Sequence, residues 1–383
     1  MIKQLLLAPG PTPVPARVRQ AMALPMFHHR TPQFSALFAE VRTGLRALFQ
    51  TEQDVLMLAA SGTGAMEAAV ANCFAPGDEV LVVNGGKFGE RWLELCNTFS
   101  VKPVELAVEW GSAVRVEAVQ AALDQNPRVR GVLAQASETS TTVAHPIEKI
   151  AALTRERDTL LVVDGITAVG VYDVPMDKWG IDVLITGSQK ALMLPPGLAL
   201  IALSARAWRR AAEVCQPRYY FDLTRERASQ SKNTTAYTPA ISLIIGLHEA
   251  LAMIREEGLQ QVFARHAHLA RATRAAALAL GCRLVAPEDP SPAATGVLLP
   301  SGVDGSKLHG YLRDRMGVTF AGGQDQLKGK VVRIAHLGYM DAFDTISAIA
   351  AFEMALRYFG HPVELGRGVG AAEAELMAAL PAV

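Results

Sequence analysis

Apolar residues in this chain fall into two alternating patterns. Short, nearly continuous apolar runs at Val55–Leu58, Glu79–Asn84, 102–106, 130–135, 160–163, 181–186 and 197–203 read as strands. Between them the spacing predicts helices at 15–23, at 32–49, from Ala65 onward, near 114–125, at 146–156 and at 204–214. Thr31 before Pro32 marks a helix start: a hydroxyl cap, then a residue with no amide to satisfy. Strands alternating with helices at short spacing build a mainly parallel sheet covered on both faces. The pattern changes at residue 217. Residues 217–238 are polar and aromatic without a period and read as one long loop, a length that usually carries function. Two long helices follow at 239–257 and 258–280, broken at Gly258. A strand at 295–299, a helix at 304–316, a loop at 320–323, the strand Val331–Ala335, a helix at 342–358 and an Ala- and Glu-rich helical tail at 362–383 complete the chain. The predicted fold class is α/β. Residues 1–256 form an N-terminal arm and large domain, and 257–383 a small C-terminal α+β domain.

Two of the runs end in reactive residues. The run at 160–163 ends on Asp164, and the run at 181–186 ends in Gly187-Ser188-Gln189-Lys190. Ligands of open α/β sheets bind at the carboxyl ends of strands, which brings an acid and a lysine to neighbouring strand ends. A pyridoxal 5'-phosphate site needs that pair. The lysine amine forms a Schiff base, and the acid keeps the pyridine nitrogen protonated and the ring an electron sink. Each residue alone has an ordinary reading, Asp164 as a turn cap and Lys190 as a solvated lysine. The pair favours the chemical reading. So does the uncharged stretch Ala191-Leu192-Met193-Leu194-Pro195-Pro196-Gly197, because apolar surroundings lower an amine's pKa and make it reactive.

Other stretches supply what such a site requires. Ser61-Gly62-Thr63-Gly64 follows a strand and feeds a helix. Free amides and the helix dipole there suit an anion, although a plain capped turn has the same composition. Gly85-Gly86-Lys87-Phe88-Gly89-Glu90 has neither dinucleotide-fingerprint nor Walker spacing. Phe88 reads as a stacking face for a cofactor ring or as a core residue starting a helix. Ala136 to Thr142 is rich in hydroxyls that suit ring substituents or a substrate, or a polar turn. Arg333 lies inside an apolar strand, where an arginine is costly unless paired. It points either to a surface partner or, as a fork, to a substrate carboxylate. The proline-dense arm at 8–15 has no regular structure. It is a loose terminus or a rigid loop over the site, with Gly10 allowing close approach of a substrate. His28 and His29 are not read as a metal site, because adjacent side chains point apart and no third ligand is near.

Composition removes whole classes. The 383 residues carry 37 basic and 37 acidic side chains with no basic run, which argues against nucleic acid and a membrane surface. No apolar stretch reaches membrane-spanning length, and the N-terminal apolar run stops at Pro9, too short for a signal peptide. Cys73, Cys96, Cys215 and Cys282 form no zinc pattern and read as buried free thiols of a cytoplasmic protein. No metal is expected.

From Pro9-Gly10-Pro11-Thr12 to Arg333, the chain resembles the class V aminotransferases of the fold-type I pyridoxal phosphate superfamily. The likeness is to alanine–glyoxylate and serine–pyruvate (serine–glyoxylate) aminotransferases. The most specific motif is Gly187-Ser188-Gln189-Lys190-Ala191-Leu192 with Pro195-Pro196-Gly197. The resemblance implies a large domain with a mainly parallel seven-stranded sheet and a homodimer that shares its active sites. It implies Lys190 as the Schiff-base lysine and Asp164 as the pyridinium partner. Ser61, Gly62, Thr63 and Gln189 would bind the phosphate, Phe88 would stack where mammalian-type relatives have Trp, and Ser140 would lie near the ring oxygen. Arg333 would take the substrate carboxylate. Thr235, Tyr237 and Thr238 match, shifted from the mammalian pattern, a loop that in the family reaches the neighbouring subunit's phosphate. The activity implied is transfer of an amino group from a small L-amino acid, alanine or serine, to glyoxylate or pyruvate. A desulfurase or lyase, an aminoethylphosphonate-type transaminase and a non-catalytic interaction subunit of the same fold stay open.

Overall fold

The structure is a computed structural model that describes residues Ile2 to Ala378. Strand β1 (Leu5–Leu6) leaves the N-terminal arm and pairs in parallel with β13 (Val318–Thr319). Helices α1 (Ala16–Met22) and α2 (Pro32–Phe49) follow. Thr31 caps α2 by accepting from Phe34 N, with Pro32 as its first residue. The buried stripe Phe34, Phe38, Val41, Leu45 and Leu48 gives α2 its apolar face.

The large sheet has seven strands: β2 (Val55–Leu58), β3 (Glu79–Asn84), β4 (Lys102–Ala107), β5 (Val129–Gln135), β8 (Leu160–Asp164), β9 (Val183–Gly187) and β10 (Ala199–Leu203). Their order is β2-β10-β9-β8-β5-β3-β4. The pairings from β9 to β4 are parallel, while β10 runs antiparallel to both β9 and β2. The connection Ser188–Leu198 contains no helix, so the chain turns straight back after Lys190 instead of crossing over the sheet. Every residue of β8, β9 and β10 is buried, which is why these strands are continuously apolar. Helices α3 (Gly62–Cys73), α4 (Lys87–Thr98), α5 (Val116–Gln125), α6 (Ile147–Arg155), α7 (Met176–Trp179) and α8 (Ala205–Glu213) intervene along the chain. Two apolar clusters pack on this sheet, one containing α2 and the long helix α10 (Ile241–Glu257), the other α3 and part of α8.

Gly258, with φ +88°, separates α10 from α11 (Leu259–Ala279). The C-terminal part has its own antiparallel sheet, ordered β11 (Arg283–Leu284), β12 (Ala294–Leu298), β15 (Val331–Ala335), β14 (Ala321–Gly322). Helices α12 (Gly305–Tyr311), α13 (Ala342–Tyr358) and α14 (Arg367–Ala378) complete it, with a third apolar cluster.

Several expectations need correction. Residues 217–238 are not all loop, because α9 (Leu223–Gln230) lies within them. Asp222 caps it, Leu223 is buried, and Gln230 pairs with both polar groups of Met57. These anchors are too few to leave a hydrophobic period. The expected helix at 304–316 is α12 followed by a wider π-type turn, Leu312–Met316. Ala321 and Gly322 in the expected loop pair with β15. Cys215 is exposed, unlike the other three cysteines. The rings of His28 and His29 do not point apart; their centroids are 4.4 Å apart. Among the described residues no group of three or more His, Cys, Asp or Glu could hold a metal. None of the described helices is long and apolar enough to cross a membrane. The tail is helical to Ala378, and its expected extension to 383 lies outside the described residues.

Candidate active site

Asp164 closes β8 and Lys190 follows β9, so neighbouring parallel strands deliver both to the same, carboxyl-terminal ends of the strands. Asp164 is 4% exposed and accepts one side-chain hydrogen bond, from Ile166 N at 2.8 Å. Burial, reinforced by the charge of Glu138, pushes its carboxyl up to about 7. Lys190 is only partly buried as a residue. Its Nζ donates to the carbonyl of Pro9 at 2.7 Å. Desolvation lowers its pKa to about 8, with Arg333 and Arg91 adding repulsion and Asp164 opposing the shift.

The proline-dense arm is therefore no loose terminus. Pro9 touches the amine, Thr12 N donates to Gln189 O at 3.1 Å, and Thr12 Oγ1 donates to Lys190 O at 2.8 Å. Gly10 has φ +145°, and a Cβ there would overlap Lys190 Nζ. Only glycine passes at this point.

Gly62 is the first residue of α3, so the amides of Gly62 and Thr63 lie in the first turn, where a helix supplies no partner for them. Ser61 is exposed and its side chain does not cap the helix. A Cβ built on Gly187 would lie 3.6 Å from Gly62 N and 3.0 Å from Gln189 Oε1. The helix amide and the glutamine amide thus converge on one spot. Gln189 Oε1 is buried without a partner. Turned over, the same amide would offer its NH2 there. Thr63 Oγ1 accepts from Arg91 Nη1 at 3.2 Å, which leaves its own proton free to donate elsewhere.

Phe88 is half-buried in the first turn of α4, not a core residue, and the Arg91 guanidinium lies 4.8 Å over its ring. Ser140 is fully buried; its hydroxyl accepts from Lys87 N at 3.0 Å and donates to Glu138. The whole stretch from Ala136 to Thr142 is buried and includes a short ribbon, β6 (Ser137–Glu138) paired with β7 (Val143–Ala144). Arg333 is 8% exposed and points inward, against the surface-partner alternative. Its Nε donates to Gly322 O at 3.0 Å and its Nη1 to Thr139 O at 2.7 Å. Nη2 makes no hydrogen bond among the described residues. Burial lowers the Arg333 pKa to about 10, with Glu138 opposing the shift.

Thr235, Tyr237 and Thr238 line a different cleft, beside Leu58, Ala59 and Leu198. Thr235 Oγ1 donates to Tyr237 O at 2.6 Å, and Tyr237 donates its hydroxyl to Tyr219 O at 2.7 Å. Among the described residues no hydrogen bond links these three to Lys190, Gln189 or the 61–63 turn of the same chain. The preceding segment does approach α3: a Cβ on Gly64 would lie 3.0 Å from the ring of Phe221.

The sequence pattern described as "Aminotransferase class-V" matches residues 5–339. The chain belongs to the class V aminotransferases. A protein of Anabaena cylindrica named soluble hydrogenase 42 kDa subunit is 41% identical over 97% of this chain and 98% of its own. An L-aspartate–glyoxylate aminotransferase of Paracoccus denitrificans is 36% identical over 96% of this chain and 95% of its own. The crystal structure of an alanine–glyoxylate aminotransferase from Nostoc superposes with a TM-score of 0.90 at 31% identity, over 93% of this chain and 96% of that one. This class V aminotransferase therefore has the fold-type I architecture and is a pyridoxal phosphate-dependent enzyme.

The residues present fit that cofactor. The phosphate needs converging N–H donors, and the turn at Gly62, Thr63 and Gln189 has a helix N-terminus, a free hydroxyl proton and an unpartnered buried glutamine oxygen whose amide, turned over, offers N–H instead. The pyridine nitrogen needs a buried acid without a competing cation, and no salt bridge among the described residues involves Asp164. The aldehyde needs an amine of lowered pKa.

Three contributors escaped the reading of the sequence. Glu138 was passed over among hydroxyls, although a lone acid in a buried, uncharged strand end is itself a signal. Arg91 stands one helical turn after Phe88, a spacing that marks it as a neighbour. The Pro9 carbonyl carries no side-chain signal at all.

Proposed function

We propose that this enzyme moves the amino group of a small L-amino acid, alanine or serine, to glyoxylate or pyruvate in a ping-pong cycle, as a homodimer. The observation that carries the reading is a lysine amine of lowered pKa beside an unpaired buried acid, with an inward arginine that keeps one nitrogen free. The names of the aminotransferase relatives support glyoxylate as acceptor.

Lys190, Asp164, Ser61, Gly62, Thr63, Gln189, Phe88 and Ser140 would hold pyridoxal phosphate. Bound there, the cofactor supplies an aldehyde carbon for the amine and a ring that withdraws electrons from it. Arg333 Nη2 takes one oxygen of the substrate α-carboxylate, while its other nitrogens stay tied to Gly322 and Thr139 and hold the fork still. Lys190 Nζ takes the proton from the substrate Cα and hands it on. A pKa of about 8 suits both halves of that transfer. Asp164, kept from water, keeps a proton on the ring nitrogen. The arm from Pro9 to Thr12 covers the amine and limits water at the reacting carbon. Thr235, Tyr237 and Thr238 would serve the partner subunit's phosphate, which accounts for their distance from their own chain's lysine site.

The test is the absorbance of the purified protein with added pyridoxal phosphate, then L-alanine, L-serine and L-aspartate in turn. A visible band that each productive donor bleaches and glyoxylate restores is the expected result, and the rates rank the donors. A band that no amino acid changes would leave the cofactor and sink the transaminase. Aspartate as the fastest donor would overturn the small-donor assignment alone.

A further inference from the structure

We propose that Glu138 is a positioning residue of this site, a carboxylate that locks Phe88 and Ser140 into one frame beside the turn that holds Arg333 through Thr139. The inference rests on the cofactor reading above.

Glu138 is 0% exposed, and among the described residues its hydrogen bonds all come from Ser140, Phe88 and Gly89. Its two oxygens divide the work. Oε1 accepts from the backbone N–H of Ser140 at 3.1 Å and from the Ser140 hydroxyl. Oε2 accepts from Phe88 N and Gly89 N, both at 3.1 Å. The last two are first-turn amides of α4, donors that a helix leaves unsatisfied, and the positive end of its dipole faces the anion. All four partners are donors. The Ser140 hydroxyl already accepts from Lys87 N, so its own proton turns to Glu138. The four donors favour the carboxylate form, whereas burial raises the Glu138 pKa against it.

One side chain thereby connects two groups, Phe88 and Ser140, that would both hold the cofactor ring. The ring of Phe88 is held on one face by Arg91, and its backbone is held by Glu138. The next residue, Thr139, gives its carbonyl to Arg333 Nη1. The same turn therefore sets the stacking ring, the hydroxyl and the carboxylate fork relative to one another.

The test compares wild type with E138Q and E138D, each prepared without cofactor and titrated with pyridoxal phosphate by visible absorbance and visible circular dichroism. Half-reaction kinetics with L-alanine follow. In E138Q one oxygen becomes an NH2 group, which faces two backbone donors on the Oε2 side or one on the Oε1 side. Its cofactor affinity is expected to fall by about tenfold or more, with weaker visible dichroism and a raised KM. E138D keeps four acceptor sites one methylene further back, and should recover part of the affinity. Far-UV dichroism and melting temperature monitor the fold. If E138Q fails to fold, E138D decides: lower affinity and altered visible dichroism at an unchanged melting temperature support the proposal. A melting temperature that falls while affinity and visible dichroism stay at wild-type values overturns it, because a purely structural carboxylate would do just that. Wild-type protein that takes up no cofactor ends the functional reading and this inference together, whereas a normal wild type with normal variants ends only this one.

Discussion

Asp164 and Asp182 are buried aspartates, 4% and 3% exposed, one at the end of β8 and the other just before the adjacent parallel strand β9, and so at opposite strand ends of the same sheet. Asp182, just before β9, is surrounded by partners. Leu161 N donates to it at 2.8 Å and the Ser204 hydroxyl at 2.7 Å, and Arg206 pairs with both of its oxygens. Asp164, at the end of β8, has one amide and no ion pair. The first carboxylate is used up by the fold. The second is held in an environment that disfavours its charge, and this marks an unfinished interaction that a ligand can complete. Burial alone thus does not separate structural acids from functional ones; the inventory of partners does.

That contrast can be tested by substitution, beginning with the residue beside Asp164. Lys190→Ala should lower turnover by about a thousandfold or more, because no other described amine touches the site. Full activity in a steady-state assay would break the assignment. Next come the two aspartates themselves. Asp182→Ala leaves Arg206 and the Leu161 amide unpaired and should cost about 3 kcal/mol in urea denaturation. Asp164→Asn should leave cofactor-free stability at pH 7.5 unchanged or higher, while removing most amino-acid-dependent bleaching of the visible band. If both variants lose stability alike, the two acids do the same job and the comparison fails.

The pH dependence sharpens the same point. The Asp164 carboxyl is raised to about 7 in the folded chain, against ~3.9 in an unfolded one. A raised acid stabilises the fold fully below its unfolded pKa, and that contribution is lost as pH rises through the folded value. The cofactor-free protein should therefore lose roughly 4 kcal/mol between about pH 4 and pH 7 from this residue. Asp164→Asn should flatten that slope in denaturation curves at pH 4.5 and 7.5. Lys190 titrates above this window and leaves it undisturbed. The smallest effect belongs to Arg91→Met. Loss of the cation over Phe88 and of the donor to Thr63 should weaken cofactor binding by about three- to tenfold in an absorbance titration. Unchanged binding would mean that Phe88 and Thr63 need no help from it.

What could be read from the order of residues alone was whatever depends on near neighbours. Strand runs, helix stripes, the Thr31-Pro32 cap and the placing of Asp164 and Lys190 at strand ends follow from periodicity and local stereochemistry. The resemblance carried by Gly187 to Lys190 and Pro195-Pro196-Gly197 pointed to the class V family for the same reason, because a motif is local. Helix α9 was hidden because tertiary anchors hold it, namely Asn72 against Phe221 and Leu223, and Gln230 against Met57. Only the tertiary structure turned β10 back against β9, seated the arm's Pro9 carbonyl on Lys190, and gathered four donors around Glu138. Those contacts join residues far apart in sequence. Their strength comes from excluding water around polar groups, a property of the packed interior that no local pattern encodes.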